Sequence, residues 1–182
     1  MKKLGERSVA LAITSTLILS SFFVIGGNTL IEMRENVKLV FQEGTPVNPM
    51  SIQQQIGIMI GQASNMLVVS ERYLEEDHEL VQSFRLARNN LANAETPKEK
   101  YYFKTDLLEE IYRMNSFKDE LGMSEADNQY FIEILENIES SRRIIRNNKY
   151  NIIAADFNDQ LRRFPANIIS FVRGVEAVYI YG

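Results

Sequence analysis

Apolar positions in this chain recur with helical periods and nowhere alternate long enough to form a strand. The clearest run is Ile52, Ile56, Met59, Ala63, Met66, Ser70, Tyr73, Asp77, Leu80, Phe84, Ala87, Leu91 and Ala94, at alternating intervals of four and three. That is a heptad seam. It predicts one coiled-coil helix, roughly 65 Å long if straight. Ser51 is its expected N-cap, with Gln54 completing a capping box. Ser70 and Asp77 are polar seam positions, where the seam is expected to loosen.

Shorter patterns fill the rest. Leu30, Ile31, Met33, Val37 and Phe41 continue a helix from the N-terminal region to about Gln42. Glu43–Met50 holds a glycine and two prolines, which end it. Thr96 and Pro97 suit an N-cap and first helical position. The helix they open should run to about Leu121, with Leu107, Leu108, Ile111 and Tyr112 inward and Gly122 as its stop. Ser124 restarts the chain, with Asp127 at the capping position. A long last helix follows, with Phe131, Ile134, Leu135, Ile138, Ile145 and Ile152 as its inner stripe. The stripe then drifts to Tyr150, Ile153, Phe157, Leu161 and Phe164. Pro165 turns the chain, and the apolar residues after it must pack on the bundle, touch membrane or meet a partner. Packing is the favoured expectation.

The first residues change this picture. Met1–Arg7 carries Lys2, Lys3 and Arg7 against Glu6, and Ser8–Gly27 carries no charge. Twenty residues of helix span roughly 30 Å, the thickness of a hydrocarbon core. The positive-inside bias places residues 1–7 in the cytoplasm, 8–27 across the membrane and 28–182 outside, the last forming the helical-bundle domain. A cleaved signal peptide is disfavoured because the run exceeds the usual 7–15 residues and Val24-Ile25-Gly26 is a poor cleavage site. The fold class expected is therefore all-α, an N-terminal transmembrane helix followed by an antiparallel bundle of long helices. The expected partners are the lipid bilayer, through residues 8–27, and proteins.

Composition removes several chemistries. The chain has 182 residues and no cysteine, which excludes disulfides, thiolate metal sites and a cysteine nucleophile. A net charge of −4 gives no basic field for nucleic acid. Glu75 and His78 have the Glu-x-x-His spacing of carboxylate di-iron bundles. His78 is the chain's one histidine, so the second such motif is missing, and Glu75–Glu79 reads better as a solvated helix face. Arg142, Arg143, Arg146 and Lys149, with Arg162 and Arg163, read as a polar face pairing with carboxylates before they read as an anion site. No nucleophile, base and orienter can be assigned, and no cofactor motif is present.

Some residues carry a resemblance. Tyr150-Asn151, Phe157-Asn158 and Phe164-Pro165-Ala166-Asn167 resemble the C-terminal signature of the LemA family. Asn128-Gln129-Tyr130-Phe131 is similar to the family's opening of the last long helix. Asn28–Val37 resembles the segment after its anchor, and Ser64–Asp77, with Asn65 and Tyr73, its Pro-Asn-Leu-Val run. Ser64 stands where the family has proline, the usual tryptophan is missing, and Glu43–Met50 looks like an insertion. The resemblance implies a LemA-like single-pass bacterial membrane protein with a helical bundle and no established enzyme activity. The motif positions are then structural or interaction residues. The function expected is a non-enzymatic envelope scaffold or interaction protein. The alternative is an extracytoplasmic ligand-sensing bundle, with Asn65, Asn151, Asn158 and Asn167 and nearby tyrosines lining a pocket.

Overall fold

A computed structural model describes residues 2–181, and the side chains of residues 9–18 and 20–181. The elements are α1 (Lys2–Glu43), α2 (Ile52–Ser70), α3 (Glu79–Asn93), α4 (Pro97–Phe117), a 3-10 turn (Lys118–Leu121), α5 (Glu125–Arg146), α6 (Lys149–Arg162) and α7 (Ala166–Arg173). Among the described residues there is no strand, and Thr45 and Asn48 form an isolated bridge in the loop after α1. The chain divides into two compact units, Val40–Asn151 with Tyr179–Gly182, and Met1–Leu39 with Ile152–Val178.

The larger unit is the bundle, in which α2 packs on α5 and α3, and α3 packs on α4. Local signals set its helix starts. Ser51 accepts the Gln54 N–H at 3.0 Å, half of the expected reciprocal cap. Thr96 and Glu99 form a complete capping box, with Pro97 in the first turn. Ser124 accepts the Asp127 N–H at 3.1 Å. Gly122 ends the 3-10 turn at φ 61°, a left-handed conformation that other residues reach only at a cost.

The seam is right in most of its residues and wrong in its continuity, with Tyr73 half-buried and Asp77 exposed. Ile52, Ile56, Met59, Ala63, Met66, Leu80, Phe84, Ala87, Leu91 and Ala94 are all buried. Yet the coiled-coil helix is not continuous: residues 71–78 form a turn between two packed helices. Ser70 is buried with its hydroxyl bonded to the Met66 carbonyl at 2.9 Å, which draws the last turn of α2 onto itself. Glu75–His78 is accordingly part of this turn rather than a solvated helix face, and Glu79 opens α3. His78 caps α3, its Nδ1 accepting the Leu80 N–H at 3.2 Å.

The turn is fastened to the start of α5. Asp127 accepts from Arg72 Nη1 at 2.6 Å and from the Tyr73 hydroxyl at 2.5 Å, and that hydroxyl accepts the Ser124 N–H at 3.0 Å. The Tyr73 hydrogen bond, with help from Arg72, holds the Asp127 carboxyl below its usual range. A lowered folded-state value stabilises above the ordinary carboxylate pKa, and that stability is lost as pH falls through the folded value. Asp127→Asn should therefore lower the denaturant midpoint at neutral pH. Its difference from the parent should shrink at pH values below about 3.9. Unfolding curves at several pH values check this, and a constant difference would contradict it.

The expected last long helix is also broken. Asn147 and Asn148 separate α5 from α6. Phe131, Ile134, Ile138 and Ile145 are buried as expected, but Ile152 is 65% exposed and Leu135 only half-buried. Tyr112, expected inward on α4, is exposed, where its hydroxyl bonds Glu139 and receives Arg142.

In the smaller unit, α1 up to Leu39 is joined by most of α6, by α7 and by the chain to Val178. Leu30 and Val37 are buried on α1, Ala154, Phe157 and Leu161 on α6, and Ile169 on α7. Phe164, expected to close the inner stripe, is 80% exposed. The Phe164–Pro165 peptide bond is cis. α1 is long and apolar enough to cross a membrane, and none of its apolar window is buried within the protein.

Candidate functional site

Three of the residues that carry the resemblance, Tyr150, Asn151 and Asn158, bond the chain after α7, which has no regular secondary structure from Val175 to Tyr181. Gly174 closes α7 at φ 65°, and the Val175 N–H returns to the Ser170 carbonyl at 2.9 Å. In the smaller unit, Asn158 holds this segment as a neighbouring strand would. Its Nδ2 donates to the Val178 carbonyl at 2.9 Å, and its Oδ1 accepts the Val178 N–H at 2.8 Å. One side chain thus satisfies both backbone groups of one residue.

The larger unit has its own fastening. Asn151 Oδ1 accepts the Tyr181 N–H at 2.7 Å, while its Nδ2 donates to the Ile145 carbonyl at 2.9 Å. The Tyr150 hydroxyl donates to the Tyr179 carbonyl at 2.7 Å, and the Tyr181 hydroxyl to the Pro97 carbonyl. Phe41, Tyr150 and Tyr181 form an aromatic cluster with ring centroids 5.3 to 6.0 Å apart. Tyr101 adds an edge-on contact to Tyr181 at 5.6 Å. Aromatic pairs in such geometry add to the burial of their area. Burial pushes the Tyr150 hydroxyl up to about 12, and the Tyr181 hydroxyl is raised further by burial and by its neighbour Tyr150. The Lys104 ammonium lies 5.5 Å from the centroids of both Tyr101 and Tyr181. Burial, and then the charge of Arg142, hold its pKa below the usual lysine value.

The motif positions do not form one site. Phe131 is in the bundle core, Asn128 is half-buried in the first turn of α5, and Asn65 is exposed on α2. Tyr73 belongs to the turn fastened by Asp127. Asn28 accepts from Arg173 at 2.9 Å, and Asn167 Oδ1 accepts the Ile168 N–H at 2.9 Å. One contributor escaped sequence reasoning. Asn148 is buried, donates to the Met50 carbonyl at 2.7 Å and caps α6 by accepting the Tyr150 N–H at 2.9 Å. Its signal was a pair of asparagines before a new apolar stripe. Tyr179 and Tyr181 belong to the tail expected to pack, and Tyr181 is buried.

The basic cluster is largely solvated. Arg142 pairs with Glu139 at 3.3 Å and Arg162 with Asp159 at 3.5 Å. Glu139, Arg142, Arg143 and Arg146 line a shallow depression of about 80 Å³. Among the described residues, no three histidine, aspartate or glutamate side chains are placed to share a metal ion. No protein-family model matches the chain, and a search of curated proteins finds no significant match.

Proposed function

We propose that this chain is a single-pass membrane protein of LemA type whose bundle acts, without catalysis, as an envelope scaffold or interaction module. The observation that carries this reading is how the polar residues of α6, of its cap and of the chain after α7 are used. Asn148, Asn151, Asn158, Tyr150 and Tyr181 all direct their polar atoms to backbone groups of their own chain. A sensing pocket would leave such groups free for a ligand. The apolar, outward-facing side chains of α1, among them Leu11, Leu17, Phe22 and Ile25, suit lipid contact. The uncharged run and its basic flank support an orientation with the N-terminus inside and the bundle outside.

Alkaline carbonate should leave the protein in the membrane pellet, and intact mass should include residues before Gly27. Because the chain lacks cysteine, Asn65→Cys, at an exposed position of α2, reports the bundle's side. A membrane-impermeant maleimide should label it in intact cells. A soluble species starting near Gly27 would overturn the anchor, and labelling only after lysis would overturn the orientation. For the scaffold role, photo-crosslinkers at exposed Val68 and Leu86 should capture protein in native membranes. Capture at neither would count against it.

A further inference from the structure

α7 has two faces of opposite use. Ile169 is buried, and it and Arg173 lie one turn apart on the face that meets α1. A methyl carbon placed on Gly26 would come within 2.8 Å of Ile169 Cδ1, and one on Gly27 within 2.6 Å of Arg173 Nε. The two glycines therefore form the seat of α7. Arg173 then bonds Asn28, the next residue. The other face carries Ile168, Phe171 and Val172, at spacings of three and four from Ile168, and Phe164 precedes it by one turn. Their exposures are 46%, 89%, 60% and 80% in that order. Phenylalanines so exposed in water would be an aggregation liability.

The place of this face decides what covers it. Gly26 and Gly27 close the first twenty residues of the uncharged stretch from Ser8 to Ile31, roughly 30 Å of helix, so they lie where a hydrocarbon core would stop. Just before them, Phe22, Val24 and Ile25 are also exposed on α1. Apolar side chains are thus exposed both on the last turns of the span and on α7, which is seated there. Between Asp159 and Glu176 the chain has Arg162, Arg163 and Arg173 and no carboxylate. Arginines flanking an apolar helix face can extend their guanidinium groups to headgroups while their stems stay in the acyl boundary.

We infer that α7, with Phe164, is a membrane-interface helix whose exposed apolar face enters the bilayer leaflet at the Gly26–Gly27 end of α1. This rests on the reading of α1 as a membrane span. It means that the protein meets the lipid surface twice, once through the span and once through a short helix clamped beside it.

The chain has no tryptophan, so a single introduced one reports its own surroundings. The full chain is reconstituted into phosphatidylcholine–phosphatidylglycerol vesicles with Phe171→Trp, Val172→Trp, Phe22→Trp or Tyr130→Trp, and helix content is checked by circular dichroism. Lipids brominated on the acyl chain near the headgroup should quench Phe171→Trp and Val172→Trp. Aqueous acrylamide should quench them far less than it quenches Tyr130→Trp, at an exposed position of α5. Phe22→Trp tests the underlying reading separately: if lipid quenches it poorly, the span is wrong. If Phe22→Trp is lipid-quenched while both α7 reporters are open to acrylamide, the inference is overturned. Protection of the α7 reporters from both quenchers would mean that a second copy covers the face, and would also overturn it.

Discussion

Ending the chain at Gly174 is expected to lower the melting temperature on the order of 10 °C. In the larger unit the deletion removes Tyr181, 3% exposed, and opens the ring cluster around Phe41 and Tyr150. In the smaller unit it removes Val175, which is buried, and both partners of the Asn158 amide. Each buried apolar side chain forfeits about 1.5–3 kcal/mol. Polar groups that lose a partner and stay buried cost about 1–3 kcal/mol each, although half-buried Asn151 and Asn158 recover part of this from water. The sum is several kcal/mol, against a typical total of about 5–15 kcal/mol. Thermal unfolding of the full chain in nanodiscs checks it, with Tyr181→Ala as a milder version expected to move the same way. A truncated protein that melts like the parent would mean that the segment serves only as a docking element.

That result bears on what could be read beforehand. The heptad seam was legible because burial selects residue type, and Ile52 through Met66 and Leu80 through Ala94 keep their phase on both sides of the break. Continuity was not legible, because a turn of eight residues, 71–78, can preserve the count of threes and fours without being helical. The signal was there in Ser70 and Asp77, polar residues on an apolar seam, but it marked a turn rather than a loosening. The division of α5 from α6 was similar: Asn147 and Asn148 interrupt the helix while Ile145 and Tyr150 stay buried. Local caps at Ser51, Thr96 and Ser124 were readable because their chemistry lies within four residues. The asparagine fastenings were not, because Asn158 and Asn151 find their partners 20 and 30 residues away. The tail expectation divided for a related reason. Ile169 packs while Ile168 and Phe171 do not, a choice set by the approach of α7 to Gly26 and Gly27 rather than by hydrophobicity.

The other large effect lies in the bundle core. Phe84→Ala is expected to cost about 3–5 kcal/mol, the range for emptying a buried aromatic site. Phe84 is 1% exposed on α3, which packs on both α2 and α4, so the cavity would be lined from more than one side. Neighbouring helices joined by short connections cannot easily close over such a void, and lost contacts are not regained. Leu86 on the same helix is 62% exposed, and Leu86→Ala should stay within about 0.5 kcal/mol. Because α1 contributes much helical signal of its own, the measurement should be hydrogen exchange of the full chain in nanodiscs across a denaturant series. Residues 79–93 and 52–70 should lose protection together in Phe84→Ala, since α2 and α3 form one packed hairpin. Loss confined to α3 would mean that the two helices unfold independently. Unchanged protection in both would mean that the seam residue Phe84 does not hold the bundle together.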